Sequence, residues 1–383
     1  MNVRTHRRMA RLLTSPRRKD SCMALTTIED LKTHLQWAIQ VELTTVPTYL
    51  YAMYSIKNQA SESANVFRSV VVEEMLHMAL ASNLLVAVGG RPKFYHQDIV
   101  PKYPGPIPHH REGFTVNLER ASVEYVRDSC MAIEFPEEPG AIPEEDNFDT
   151  IGQFYLALEN CFRTLCGQPS HKVFADNDTR KQLSEGYMPE ISDTGVLTVV
   201  TDLDSAMSAM QTIIEQGEGI RGSHYDDPSK RELAHYFKFE RIAEGEAPLG
   251  DVWPVVKNPQ TADYPESLRD LSNLFNGCYC YMLLALEDIF ILTDAAEKHR
   301  LVFRGLYSIM SSVLPQLARM MMQQPISEGA DEYAGPTFEY IHFEHGVSKE
   351  SQLEELCRQA QTTNGGLDRI FSIITTLPDM TEL

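Results

Sequence analysis

Two long amphipathic segments of this chain carry acidic residues where leucines belong, and that anomaly limits the fold more than any other feature. From Ile28 onward apolar residues recur at Leu31, Leu35, Ala38, Ile39, Val46, Tyr49 and Met53, the 3.6-residue period of an α-helix. Thr26-x-x-Glu29 reads as the capping box that starts it. Along the stripe 35, 38, 42, 46, 49 the one charged residue is Glu42. A second helical segment runs from Ser61 to Gly89 and stops at Gly89-Gly90 and Pro92. Its stripe, Phe67, Val70, Ala81, Leu84 and Val88, is interrupted by Glu74 and His77, one turn apart on the same face. A carboxylate on a buried face needs a cation, a metal or a shared proton. In an antiparallel hairpin of the two helices, Glu42 and Glu74 fall at one level.

The second half repeats this grammar. Glu232-Leu233-Ala234-His235 is again Glu-x-x-His, expected on a helix from Ser229 to Gly245, and the preceding helix, Val199 to Gly219, ends Glu215-Gln216-Gly217-Glu218-Gly219. One Glu followed by Glu-x-x-His, twice over, is the ligand set of carboxylate-bridged di-iron or di-manganese four-helix bundles. Carboxylates neutralise and bridge two hard cations, and one imidazole per metal leaves positions open for dioxygen or substrate. The metal-ligand set is therefore Glu42, Glu74, His77, Glu232, His235 and one of Glu215 and Glu218. Helical phase favours Glu218, whereas its Gly-Glu-Gly setting at a helix end favours Glu215. Glu73, off the stripe, either meets solvent or supports the site from behind. Tyr49, two turns from Glu42, is the candidate catalytic residue, as a hydrogen-bond donor or oxidisable neighbour, with plain core packing as the alternative. Pro47 should kink the first helix beside the site. His109-His110 and His342-x-x-His345 read as surface or fold-back contacts.

Between Arg91 and Glu145 eight prolines break the periodicity, so this stretch reads as a long excursion with one short helix near Ser122–Ile133. Further helices are expected over Phe148–Cys166, Ser267–His299 and Leu301–Gln323. The class is mostly α. The formal charge of −20 excludes a nucleic-acid or anionic-membrane surface, which would need clustered cations. Residues 1–19 hold seven bases and no acid, leaving 27 bases against 54 acids beyond them. Such an extension is either a flexible tail on a cytoplasmic protein or a mitochondrial transit peptide. No uninterrupted apolar run is long enough to span a membrane. The cysteines include no CxxC pair, and Cys278 and Cys280 read as packing residues in reduced form.

Several runs, taken in order, resemble one family. They are Gln40-Val41-Glu42-Leu43-Thr44-Thr45-Val46-Pro47-Thr48-Tyr49-Leu50, Glu73-Glu74-Met75-Leu76-His77-Met78, Tyr103-Pro104-Gly105-Pro106-Ile107-Pro108, Thr150-Ile151-Gly152-Gln153-Phe154-Tyr155, Glu215-Gln216-Gly217-Glu218-Gly219, Glu232-Leu233-Ala234-His235-Tyr236 and Ala334-Gly335-Pro336-Thr337-Phe338-Glu339. Together they are similar to the ferritin-like iminophenyl-pyruvate dimer synthases of bisindole pathways such as those of violacein and rebeccamycin. The resemblance covers residues 25–345, leaving a basic extension, 1–24, and a C-terminal tail with a helix, 346–383. It implies a ferritin-like four-helix bundle with added C-terminal helices, and oxidative coupling of an amino-acid-derived imine. The family often has Glu where Gln153 stands. The function expected is a non-haem iron oxidase or oxidative coupling enzyme of secondary metabolism, holding one or two iron ions, with manganese as the alternative metal. Its partners would be a small-molecule substrate, dioxygen and a second copy in a homodimer. Competing readings are a metal-free cyclase or binding protein on the same scaffold, and iron storage or detoxification.

Overall fold

A computed structural model describes residues 25–136, 142, 144, 147–168, 170–187, 196–217 and 233–380. Among these the regular structure is helical, with isolated β-bridges such as Ile56 with Val252 in place of strands. Helix α1, Ile28–Ser55, is capped one residue later than the sequence suggests. Thr27 accepts from Asp30 N–H, and the Asp30 carboxylate accepts from Thr27 N–H in return. Helix α2 is Glu62–Ala87, capped by Ser61. By length and composition α2 could cross a membrane, yet 89% of its apolar window is buried in the protein, as in a core helix.

Helix α3 is composite. Val123–Tyr125 leads into a π-helical turn, Val126–Cys130, and ends in Met131–Ile133. Helix α4, Ile151–Cys166, starts at the Thr150 cap, and α5, Leu203–Gln216, starts at a reciprocal Asp202–Ser205 box. Helix α6 is His235–Ala243. This shortens the expected helix: Leu233 and Ala234, inside the expected range, are not helical, and Ser229 to Glu232 lie outside the described residues.

The bundle is a closed ring in which α1 packs on α2, α2 on α5, α5 on α4 and α4 on α1. Helix α6 lies against α2 and is covered by the π-helical turn of α3. Pro47 sits inside α1, where the Thr45 and Tyr103 hydroxyls donate to the carbonyls of Glu42 and Thr44. The expected helix over Ser267–His299 is two helices: α7, Glu266–Ile289, and α8, which begins at Ala295–Arg300 and continues through π-helical Leu301–Leu306 and Ile309–Val313 into Leu314–Met322. The last stretch of α8 packs on α1. Helices α9, Lys349–Thr363, and α10, Asp368–Ile374, complete the C-terminal layer, α9 against α7.

Gly335 ties this layer to the bundle. Its N–H donates to the Tyr264 hydroxyl, and a Cβ there would lie 2.3 Å from the Tyr51 Oη on α1. Cys278 and Cys280 are buried, reduced residues of α7.

Candidate metal centre

Glu42 from α1, Glu74 and His77 from α2, Glu134 from the end of α3 and His235 from the start of α6 converge between the bundle helices, each no more than 2% exposed. Their ligand-capable atoms form two groups, Glu42–Glu74–His77 and Glu74–Glu134–His235, and within each group those atoms lie within 4.8 Å of one another. Glu74 belongs to both. The two imidazoles are nearly parallel, with centroids 5.4 Å apart.

Local backbone structure explains the convergence. Glu42, Glu74 and His77 come from regular turns of long helices, so their spacing fixes their direction. Glu134 follows a π-helical turn and ends the helix, with its N–H donating to Cys130 O at 3.1 Å. His235 N–H donates to the Gly217 carbonyl at 2.9 Å, which ties the start of α6 to the end of α5. Gln216 is thereby held beside His77.

The outer faces of both imidazoles are occupied. His77 Nε2 donates to Gln216 Oε1 at 3.1 Å, and His235 Nε2 donates to Glu73 Oε2 at 2.9 Å. That fixes the tautomers and turns both Nδ1 atoms inward. His77 Nδ1 faces Glu42 and Glu74 oxygens at 3.9 and 3.8 Å, and His235 Nδ1 faces Glu74 and Glu134 oxygens at 3.3 and 3.4 Å. The latter nitrogen is buried without a hydrogen-bond partner. Among the described residues, two neutral donors serve the three inner carboxylates: Tyr155 donates to Glu42 at 2.7 Å, and Tyr49 donates to Glu134. Lys238 of α6 holds both oxygens of Glu73.

The electrostatics follow from this crowding. Burial first, then the Glu74 charge, pushes the Glu42 carboxyl well above its usual range. Burial raises Glu74 as well, reinforced by Glu134. Burial alone would raise Glu73, but the His235 hydrogen bond and the Lys238 charge hold it below the ordinary value. Burial drives His77 toward the neutral form. Burial acts the same way on His235, yet the surrounding carboxylates, Glu134 foremost, more than offset it and keep a proton there when no metal is bound. A cation in the middle would replace that proton and give every inward lone pair a partner. The donor set of hard carboxylate oxygens with one imidazole per group fits divalent iron or manganese.

Of the residues singled out in the sequence, Glu42, Glu74, His77 and His235 come together here, and Tyr49 touches the cluster through Glu134. Glu215 does not join them. Its carboxylate accepts from Gln211 along α5, while its neighbour Gln216 faces His77. Glu218 and Glu232 lie outside the described residues. Glu73 is buried behind His235 rather than solvated. Gln153 binds the Ile142 carbonyl and stands apart from both groups. His109 stacks on Trp37, and His342 meets the His345 ring edge-on, as fold-back contacts. Glu134 escaped the sequence reading. The available signal was a lone acid in the apolar run Met131-Ala132-Ile133-Glu134-Phe135.

A narrow cleft reaches the cluster, lined by Glu42, Glu74, His77, Glu134 and Tyr155 and by Ile151, Gly152, Ile213, Ile214 and Gly217.

Comparison with known proteins gives the same frame. A ferritin-like family profile matches residues 35–244. The chain is 24% identical over 354 residues to a protein of Chromobacterium violaceum named 2-imino-3-(indol-3-yl)propanoate dimerase, covering 80% of this chain and 33% of that protein. It is 22% identical over 380 residues to a dichlorochromopyrrolate synthase of Lentzea aerocolonigenes, covering 82% of this chain and 36% of that one. The chain thus spans about a third of the length of these curated relatives. A solved ferritin-like protein from Caulobacter vibrioides superposes with a TM-score of 0.57 at 22% identity, covering 81% of this chain and 99% of the other.

Proposed function

The chain belongs to the ferritin-like family, and from that premise we propose that it is an oxidative enzyme with a two-ion iron centre, manganese being the alternative metal. One ion would be held by Glu42, Glu74 and His77, the other by Glu74, Glu134 and His235, with Glu74 common to both. The observation that carries this reading is the convergence of three buried carboxylates and two inward imidazole nitrogens in two groups that share Glu74. Once bound, the metal would supply reversible electron transfer and Lewis acidity at positions the protein leaves free.

The chain's own groups do the rest. Ile151, Ile213 and Ile214 keep the cleft apolar and shed water from a ligand that enters. Tyr155, on the cleft wall, holds its phenolic proton on Glu42, within reach of a bound ligand. Tyr49 holds its proton on Glu134. The substrate class we propose is a small amino-acid-derived imine, with dioxygen as oxidant. Support comes from the imino-indolyl-propanoate in the name of one relative, although this chain spans only a third of that protein.

The test is anaerobic Fe(II) reconstitution of chelator-treated protein, followed by oxygen uptake with 2-imino-3-(indol-3-yl)propanoate. We expect two irons per chain, one in Glu134→Gln, and oxygen consumption that depends on the imine. Failure of the wild-type chain to take up iron would overturn the metal reading. Two irons without imine-dependent oxygen uptake would overturn the substrate reading.

A further inference from the structure

We propose that the two half-sites are unequal, and that Glu73, held by Lys238, makes the His235 half-site the tighter one and the first to fill. This rests on the metal centre proposed above and concerns its internal order. The two imidazoles are alike in tautomer and burial but differ in what stands behind them. His77 donates to a neutral amide, Gln216 Oε1, at 3.1 Å. His235 donates to a carboxylate, Glu73 Oε2, at 2.9 Å, in a residue 4% exposed. An anionic acceptor behind a ligating imidazole raises its basicity and its hold on a metal; a neutral amide orients the ring and does less. Lys238 is a positioning residue: its ammonium sits on both Glu73 oxygens, which keeps them ionised and fixed in direction.

Access differs in the same sense. Both rings are buried, but His77 lines the cleft beside Gly217, Ile213 and Ile214, whereas the His235 group reaches it through the Glu74 and Glu134 carboxylates and not through its imidazole. The retained ion would therefore sit inside, and the exchangeable ion would sit where an entering ligand meets it.

The experiment is anaerobic calorimetric titration of the full chelator-treated chain with Co(II) alone, with visible absorption recorded in parallel. The first ion should bind at least about tenfold tighter than the second. Glu73→Gln should weaken that first step about 10–100-fold and leave the second nearly unchanged. Lys238→Met should shift the first step in the same direction. Gln216→Glu should strengthen the second step and narrow the gap. His235→Ala should remove the tight step, and His77→Ala the weak one. Equal steps in the wild type, equal weakening of both by Glu73→Gln, or loss of the tight step in His77→Ala would overturn the proposal while leaving a two-ion centre standing. No Co(II) uptake at all would overturn the centre itself and this inference with it. Circular dichroism checks folding, and Gln216→Glu decides the matter if Glu73→Gln does not fold.

Discussion

Replacing Glu42 by glutamine should strengthen the metal-free protein and weaken its response to metal, two effects of opposite sign from one substitution. The size can be worked in two ways. If Glu42 and Glu74 were both ionised, with ligand oxygens within 4.8 Å, they would repel by about 3 kcal/mol at an effective dielectric constant of about 20. If Glu42 instead keeps its proton, holding it costs about 1.4 kcal/mol for each pH unit above the ordinary carboxyl value, again about 3 kcal/mol at neutral pH. Glutamine retains the volume and an oxygen to accept from Tyr155, so little else changes. The sign with pH is set by the raised Glu42 carboxyl. The native state binds more protons than the unfolded chain, so wild-type stability falls as pH rises above the ordinary carboxyl range, and the variant escapes that loss. Urea denaturation in EDTA should therefore show near-equal stability at about pH 4.5 and a gain of about 2–3 kcal/mol for Glu42→Gln at about pH 7.5. With Co(II) at about a hundred times its dissociation constant, the wild type should gain about 3 kcal/mol and the variant less. A variant less stable than wild type in EDTA at the higher pH would refute the idea that this interior is electrostatically strained without a cation.

Two further outcomes are expected elsewhere in the fold. Gly335→Ala should destabilise the protein by about 2–3 kcal/mol, read as a lowered urea midpoint, because the new Cβ would meet the buried Tyr51 ring at 2.3–2.7 Å. Asp288 lies in the last turn of α7, where burial and then the neighbouring Glu287 push its carboxyl up to about 6. Its native form holds the proton more tightly than the unfolded chain, so wild-type stability declines as pH rises toward 6. Asp288→Asn should match wild type below about pH 4 and exceed it by about 1–2 kcal/mol above about pH 6, a figure reduced for the solvent that reaches the group.

What the sequence revealed of the candidate centre follows the regularity of its elements. Glu42, Glu74 and His77 were legible because α1 and α2 are long and unbroken, so an acid on an apolar stripe announces an inward carboxylate. Glu134 was not legible. It emerges from the proline-rich excursion after a π-helical turn, which shifts the phase on which stripe reading depends. His235 was picked out by its spacing from Glu232, which lies outside the described residues, whereas in the structure it is placed by standing at the very start of α6. At the end of α5 phase pointed past Gln216, yet Gln216 is the side chain that reaches His77, and a neutral amide carries no sequence signal for such a role. The ring of four helices was readable from period and breaks, whereas the split between α7 and α8 came at Asp294, a cap inside what looked like one continuous helix.

The strongest alternative to a metal is a self-sufficient polar network, and this protein contains two acids, the buried Glu287 and the half-buried Glu339, that show how that looks. Glu287 accepts the backbone N–H groups of Phe94 and Tyr95 at 2.7 and 2.8 Å. Glu339 accepts from the Thr261 N–H and hydroxyl and from the Asn276 amide, while Ser272 and Thr337 pass hydrogen bonds among themselves and to Asn276. In both places, neutral donors surround a single carboxylate, as burial demands. The centre between α1, α2, α3 and α6 is the reverse. Among the described residues, three carboxylates and two inward imidazole nitrogens meet two tyrosine hydroxyls, and the Lys238 ammonium is turned outward onto Glu73. Where Glu287 and Glu339 are met by donors, this centre has gathered acceptors, and an excess of acceptors in a dry interior is what a site for cations requires.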